Sequence, residues 1–164
     1  MNDNAPKVWY PTAKVRSTSR FICIETESAG LTDPKGKQHL LSPEASEGVI
    51  GLAVLDALAH SRQITPLEAE SLMWGRHGTG QERYEKWSAD LQQKYGYKSS
   101  ATLFKNMKLC GVKQQNTELV FTPMAHVKLQ AWQSDKDIEN VLISSGSLSE
   151  KIGNALKLAL TRCY

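Results

Sequence analysis

The chain has 164 residues, 40% of them apolar and 23% charged, which suits one ordinary domain with a core and excludes a chain too polar to fold. Twenty Lys and Arg against 17 Asp and Glu leave a net charge of +3, a small excess for a dedicated nucleic-acid binder. No apolar run approaches the ~20 residues of a membrane-spanning helix. The polar start, Met1-Asn2-Asp3-Asn4-Ala5-Pro6, lacks the layout of a secretory signal, so a cytoplasmic protein is expected.

Residues 1–6 read as a frayed tail. Lys7 to Thr18 carries Val8, Trp9, Tyr10 and Val15 but is broken by Pro11, which predicts an edge or bulged strand. Arg20 to Ser28 predicts a firmer strand through Phe21, Ile22, Cys23 and Ile24. Asp33-Pro34-Lys35-Gly36 is turn chemistry. Ser42-Pro43-Glu44 predicts a helix start with Ser as N-cap. Ile50, Ala53, Val54, Ala57 and Leu58 follow at helical spacing, and Val49, Leu52 and Leu55 widen the apolar face, as for a helix covered on more than one side. Gly48 and Gly51 in that helix imply close packing against another element, a sheet being the first choice.

Thr65-Pro66-Leu67-Glu68 is a capping box opening a short helix to about Trp74, which Gly75, Gly78 and Gly80 end as a loop. Gln81 to Tyr95 is a second helix with Tyr84, Trp87, Leu91 and Tyr95 on one face and Gly96 as its stop. Residues 103–113 and 118–122 predict a β-hairpin across the polar turn Gln114 to Thr117. Val127, Leu129 and Ala131 fit a strand or a short helix, and Val141-Leu142-Ile143 a last strand. A capping box at Ser147-Leu148-Ser149-Glu150 opens the closing helix, with Ile152, Ala155, Leu156, Ala159 and Leu160 on its apolar face. Strands and helices come in clumps, without a repeat or linker. The expected fold is therefore α+β, a central and mainly antiparallel sheet with surrounding helices, as one domain over 1–164.

Chemistry is sparse. His39, His60, His77 and His126 show no metal-motif spacing, and there is no Cys-x-x-Cys, so neither metal nor cofactor is expected. Cys23, Cys110 and Cys163 are odd in number and widely spaced, which reads as buried free thiols in a reducing compartment; Cys23 and Cys110 lie in apolar settings, whereas Cys163, near the end, could be exposed. No Gly-x-Ser-x-Gly elbow is present. Glu44 with Glu47, and Glu68 with Glu70, are accounted for by helix N-termini. No catalytic set emerges, and a non-enzyme is expected.

Two segments carry residues suited to contacts. Gly75-Arg76-His77-Gly78-Thr79-Gly80 is no P-loop, but Trp74, Arg76 and His77 are types enriched at binding hot spots. Lys94-Tyr95-Gly96-Tyr97-Lys98, continuing to Phe104-Lys105 and Lys108, interleaves base and aromatic, which supports an alternative reading as a single-stranded nucleic-acid-binding module. The expected contact residues are Trp74, Arg76, His77, Tyr97 and Lys105.

Several stretches together resemble one family: Pro11-Thr12-Ala13-Lys14-Val15-Arg16; Leu41-Ser42-Pro43-Glu44 with Gly48-Val49-Ile50-Gly51; Leu103-Phe104-Lys105-Asn106-Met107; and Glu150-Lys151-Ile152-Gly153-Asn154-Ala155-Leu156 with Ala159-Leu160. They look like the immunity proteins of bacterial contact-dependent growth inhibition, in the branch whose partner toxins are nuclease domains. The resemblance implies a cytoplasmic protein that binds, one-to-one, the cognate toxin domain of a secreted exoprotein. It also implies an antiparallel sheet with helices, and a toxin β-hairpin that enters a pocket and extends the sheet. One departure is that inhibitors of basic nucleases are often acidic, whereas this chain is mildly basic, so shape and edge pairing would outweigh bulk charge.

Overall fold

Alternation along two neighbouring strands sets the architecture. The computed structural model describes residues 8–75 and 78–164. In β1 (Thr12–Ser17) Ala13 and Val15 are buried on one face, and their neighbours Lys14 and Arg16 belong to the opposite one. β2 (Ile22–Ser28) runs antiparallel to it, with Val15 opposite Ile24, Arg16 opposite Cys23 and Lys14 opposite Glu25. Each strand thus has an apolar face and a second face rich in charge.

The remaining strands are β3 (Leu31–Thr32), β4 (Gln38–Leu41), β5 (Lys108–Gln115), β6 (Glu118–Lys128), β7 (Ala131–Ser134) and β8 (Val141–Ser144). They form one antiparallel sheet of order β3-β2-β1-β5-β6-β7, with β4 also beside β2 and β8 also beside β6. The apolar face is covered by α1 (Glu47–Ala59) and α5 (Ser149–Arg162). Ala13, Val15, Ile24, Ile50, Val54, Leu119, Phe121, Ile152 and Leu156 lie in this main core. α3 (Gly80–Tyr95) and α4 (Ser100–Phe104) cover part of the other face, through Phe21, Cys23, Leu91, Leu103, Phe104 and Met107. α2 (Pro66–Trp74) buries no residue at all.

The α+β arrangement, the 108–128 hairpin, the Asp33–Gly36 turn and the closing helix agree with the sequence reading. Several local expectations do not. β1 is an interior strand between β2 and β5, not an edge, because Pro11 falls just before the ladder, where its carbonyl accepts from the Gln114 amide at 3.0 Å. The first helix is capped by Ser46, whose hydroxyl takes the Val49 amide; Ser42 to Ala45 closes a separate turn, so Glu44 lies outside the helix. Val49 and Leu52 on that helix are exposed rather than covered on a second side. Leu103 lies in a helix of five residues, too short to display a helical period. Leu148, not Ser147, is the N-cap of α5, without a side-chain hydrogen bond. Residues 127–131 continue β6 and turn into β7. Gly80 opens α3 instead of ending the preceding loop, under a capping box of Thr79 and Glu82. The reading of the three cysteines as buried free thiols, by contrast, is met, Cys163 included.

The glycines of α1 do mark a close approach, but to a helix. A Cβ on Gly51 would stand 1.8 Å from the Ser149 carbonyl oxygen of α5, and one on Gly153 would stand 1.9 Å from the Glu47 carbonyl oxygen of α1. Each helix therefore presents a bare backbone to the other, locking α1 and α5 into one layer.

Candidate functional site

The charged face of β1 and β2 is only partly roofed. Where α3 stops covering it, a cleft of about 390 Å³ opens, bounded by the β3–β4 turn and the last residues of α2. Lys14, Arg16 and Glu25 line the sheet side, Arg83, Tyr84 and Trp87 the α3 side, and Leu72 and Met73 the α2 rim. Strand alternation puts the first three on one face, and the α3 residues, one helical turn apart, point back at them.

Lys14 Nζ pairs with Glu27 at 3.2 Å. Deeper in, the Arg16 guanidinium sits 4.5 Å from the centre of the Trp87 ring and 5.8 Å from that of Tyr84, a cation beside a stacked aromatic pair. Its nearest anion, Glu25, stands at 3.9 Å, longer than a hydrogen bond. Both are nearly buried, Arg16 at 9% and Glu25 at 4% exposure. Arg16 Nε is a buried donor without a hydrogen-bond partner among the described residues, an expensive state for a polar group removed from water, and the Trp87 indole N–H has only the weak acceptor Cys23 Sγ beside it. The Cys23 thiol donates to Glu25 at 3.1 Å. Burial first, then the neighbouring Glu25 charge, pushes that thiol far above the ordinary range, so it is no nucleophile at neutral pH. Burial likewise raises the Tyr84 phenol, with Arg16 opposing.

One wall of the cleft is braced by a second network. Asp33 accepts from Arg62 Nε at 2.8 Å, from Arg62 Nη2 at 3.0 Å, from the Ser28 hydroxyl at 2.7 Å and from the Lys35 amide at 2.9 Å. Arg62 reaches on to Glu68 at 2.9 Å, which ties the start of α2 to the β3–β4 turn. Glu68 is thereby drawn away from the reciprocal half of the Thr65 capping box, of which only the Glu68 amide to Thr65 hydroxyl bond is made. At the other end of α2, Arg83 donates to the Leu72 and Gly78 carbonyls.

The residues expected at a contact site are not brought together. Trp74 ends α2 beside the cleft-lining Leu72 and Met73, and is 71% exposed. Arg76 and His77 lie outside the described residues. Tyr97 is half-buried, its hydroxyl bonded to Thr18 at 2.7 Å and its ring under Arg20 at 4.5 Å. Lys105 borders a different, shallower depression with Asn106, Lys108, His126, Trp132 and Tyr164. The aromatic rings proposed to stack bases have other partners: Phe104 is buried, and Tyr95 stacks on Phe21 at 4.9 Å. Sequence reasoning missed Arg16, Glu25 and Trp87. The available signal was charge at alternate positions of two adjacent strands, Lys14 and Arg16 against Glu25 and Glu27, where a solvent-facing strand would have been a sufficient explanation.

Among the described residues no three His, Cys, Asp or Glu side chains gather as they would around a metal ion. A recessed charged floor with unused donors, set beside an exposed helix, has the build of a protein that binds another macromolecule. The chain belongs to the CDI immunity protein family, CdiI, whose description matches residues 11–163. It is 35% identical to the immunity protein CdiI-YPIII of Yersinia pseudotuberculosis serotype O:3 (strain YPIII), over 99% of both chains. Among solved structures it resembles a chain of the CdiA-CT/CdiI toxin and immunity complex from Yersinia pseudotuberculosis, with a TM-score of 0.84 and 36% identity, over 96% of this chain and 99% of that one. It also resembles a protein of unknown function from Neisseria meningitidis, with a TM-score of 0.85 and 33% identity, over 95% and 96% of the two chains.

Proposed function

We propose that this chain binds and neutralises the cognate toxin domain of a contact-dependent growth inhibition exoprotein, one-to-one and in the cytoplasm, without chemistry of its own. The toxin is proposed to be a nuclease domain. The observation that carries the reading is the match to the immunity family along almost the whole chain, together with a similar fold in a toxin and immunity complex.

The cleft and its borders are the proposed contact surface. β4 pairs only with β2 among the described residues, so its outer edge is open for strand addition, and Gln38 of that strand lines the cleft. Trp74 would flank an inserted segment; Tyr97 and Lys105, placed elsewhere, would contribute through a broader footprint, and Arg76 and His77 are proposed contacts on residue type alone. Trp74 is an exposed indole of the kind that dominates interface energies.

The test uses the toxin domain encoded beside this gene. Co-expression should restore growth, and calorimetric titration of the two purified proteins should give a stoichiometry of one. Toxin activity that persists in the presence of excess protein would refute the reading. Trp74→Ala should weaken binding by about tenfold or more, while the thermal midpoint stays within a degree or two of wild type.

A further inference from the structure

The floor of the cleft holds a buried guanidinium that the described residues leave unsatisfied. Arg16 Nε has no hydrogen-bond partner, and the Arg16–Glu25 approach of 3.9 Å is ionic rather than a hydrogen bond. The guanidinium lies over Trp87, whose indole N–H has only the weak acceptor Cys23 Sγ beside it. A buried guanidinium with a donor left unused is costly, and its terminal nitrogens remain free of hydrogen bonds among the described residues for an acceptor entering the cleft. Arginine presents a planar fork matched to a carboxylate, which takes two parallel N–H donors.

The charge of the lining favours the same guest. Lys14, Arg16, Lys37 and Arg83 line the cleft with only Glu25 and Asp33 as lining carboxylates, and Asp33 is already held by Arg62, so the lining carries a cationic excess in a chain of only +3. The recess lies between a strand pair and a helix, which suits one side chain or one chain end better than a run of nucleotide phosphates.

We propose that Arg16, held by Trp87, is a receptor for a carboxylate of the bound toxin, either an Asp or Glu side chain or the toxin's C-terminus. This rests on the toxin-binding reading and adds the chemistry of its anchor. Glu25 offsets the charge of Arg16 while the cleft is empty.

The test is a double-mutant cycle with the purified toxin domain. Replacing Arg16 alone would strand a buried carboxylate and could unfold the chain, so Arg16→Met is made together with Glu25→Gln, and Arg16→Lys is made separately. The paired variant should bind at least about 30-fold more weakly, with an unchanged circular dichroism spectrum. Arg16→Lys, which keeps the charge but loses the fork, should weaken binding by about tenfold. Asp→Asn and Glu→Gln changes are then made singly in the toxin, beside a toxin extended at its C-terminus. One of these should weaken binding to wild type yet have no further effect on the paired variant; should the paired variant unfold, Arg16→Lys serves in the same cycle.

Additive losses at every toxin carboxylate would overturn the inference while leaving the immunity reading in place. A single-stranded oligonucleotide that binds wild type and not the paired variant would also overturn it, since the floor would then be a phosphate site. Absence of wild-type binding to the toxin would overturn the proposed function, and this inference with it.

Discussion

Burial alone would raise the Asp33 carboxyl, but hydrogen bonds from Arg62, Ser28 and the Lys35 amide outweigh it and bring its pKa down to about 2. Its side chain is fully buried. An unfolded Asp titrates near ~3.9, so the folded state gains stability that is present in full above that value and is lost as the pH falls from about 4 toward 2. The effect is about 2.5 kcal/mol. Asp33→Asn should therefore lower stability by about that amount at pH 7, and should flatten the acid limb of a stability profile from urea unfolding between pH 4 and 2. An acid limb as steep as that of wild type would show that Asp33 is not its source. None of this was legible from the sequence, where Asp33-Pro34-Lys35-Gly36 shows a turn but gives no sign that Arg62 and Ser28 converge on it.

At the scale of elements, two contacts decide behaviour. Gly51 and Gly153 bring the backbones of α1 and α5 together, and a methyl group at either would overlap a carbonyl that cannot rotate away. Gly51→Ala and Gly153→Ala should each cost roughly 2 kcal/mol or more, despite the ~1 kcal/mol of helix propensity that Ala adds; chemical denaturation measures it, and a stabilised variant would refute the close packing. α2 is the opposite case. It buries nothing and is held by the Thr65 cap, the Arg62–Glu68 bridge and Arg83. Its amides should exchange with solvent faster than those of α1 and α5, and should slow when the toxin domain is added; protection equal to that of α5 in the free protein would contradict this. α2 and α3 were visible in the sequence because caps and apolar spacing are local. α4 was not, since five residues do not complete a pattern, and the interior place of β1 was hidden by a proline that stands outside the strand.

For the molecule as a whole, ligand linkage gives a direct expectation. With free toxin domain at about a hundred times its dissociation constant, stabilisation is about 2.7 kcal/mol, which for a chain of this length raises the thermal midpoint by roughly 5–10 °C. Scanning calorimetry with and without the toxin domain reads this directly, and an unshifted midpoint at saturating concentration would count against a specific complex.

The sequence by itself determined the class of fold, most of the helices, the long hairpin and the family, because caps, alternation and spaced apolar residues act over a few neighbouring positions and the resemblance spread along the chain. Only the tertiary structure decided that Arg16, Glu25 and Trp87 meet. Strand register places Arg16 opposite Cys23, and the packing of α3 then lowers Trp87 onto the guanidinium. Tertiary packing also separated Trp74 from Tyr97 and Lys105. Such meetings depend on which faces pair across long stretches of chain, and no local pattern of residue types encodes that.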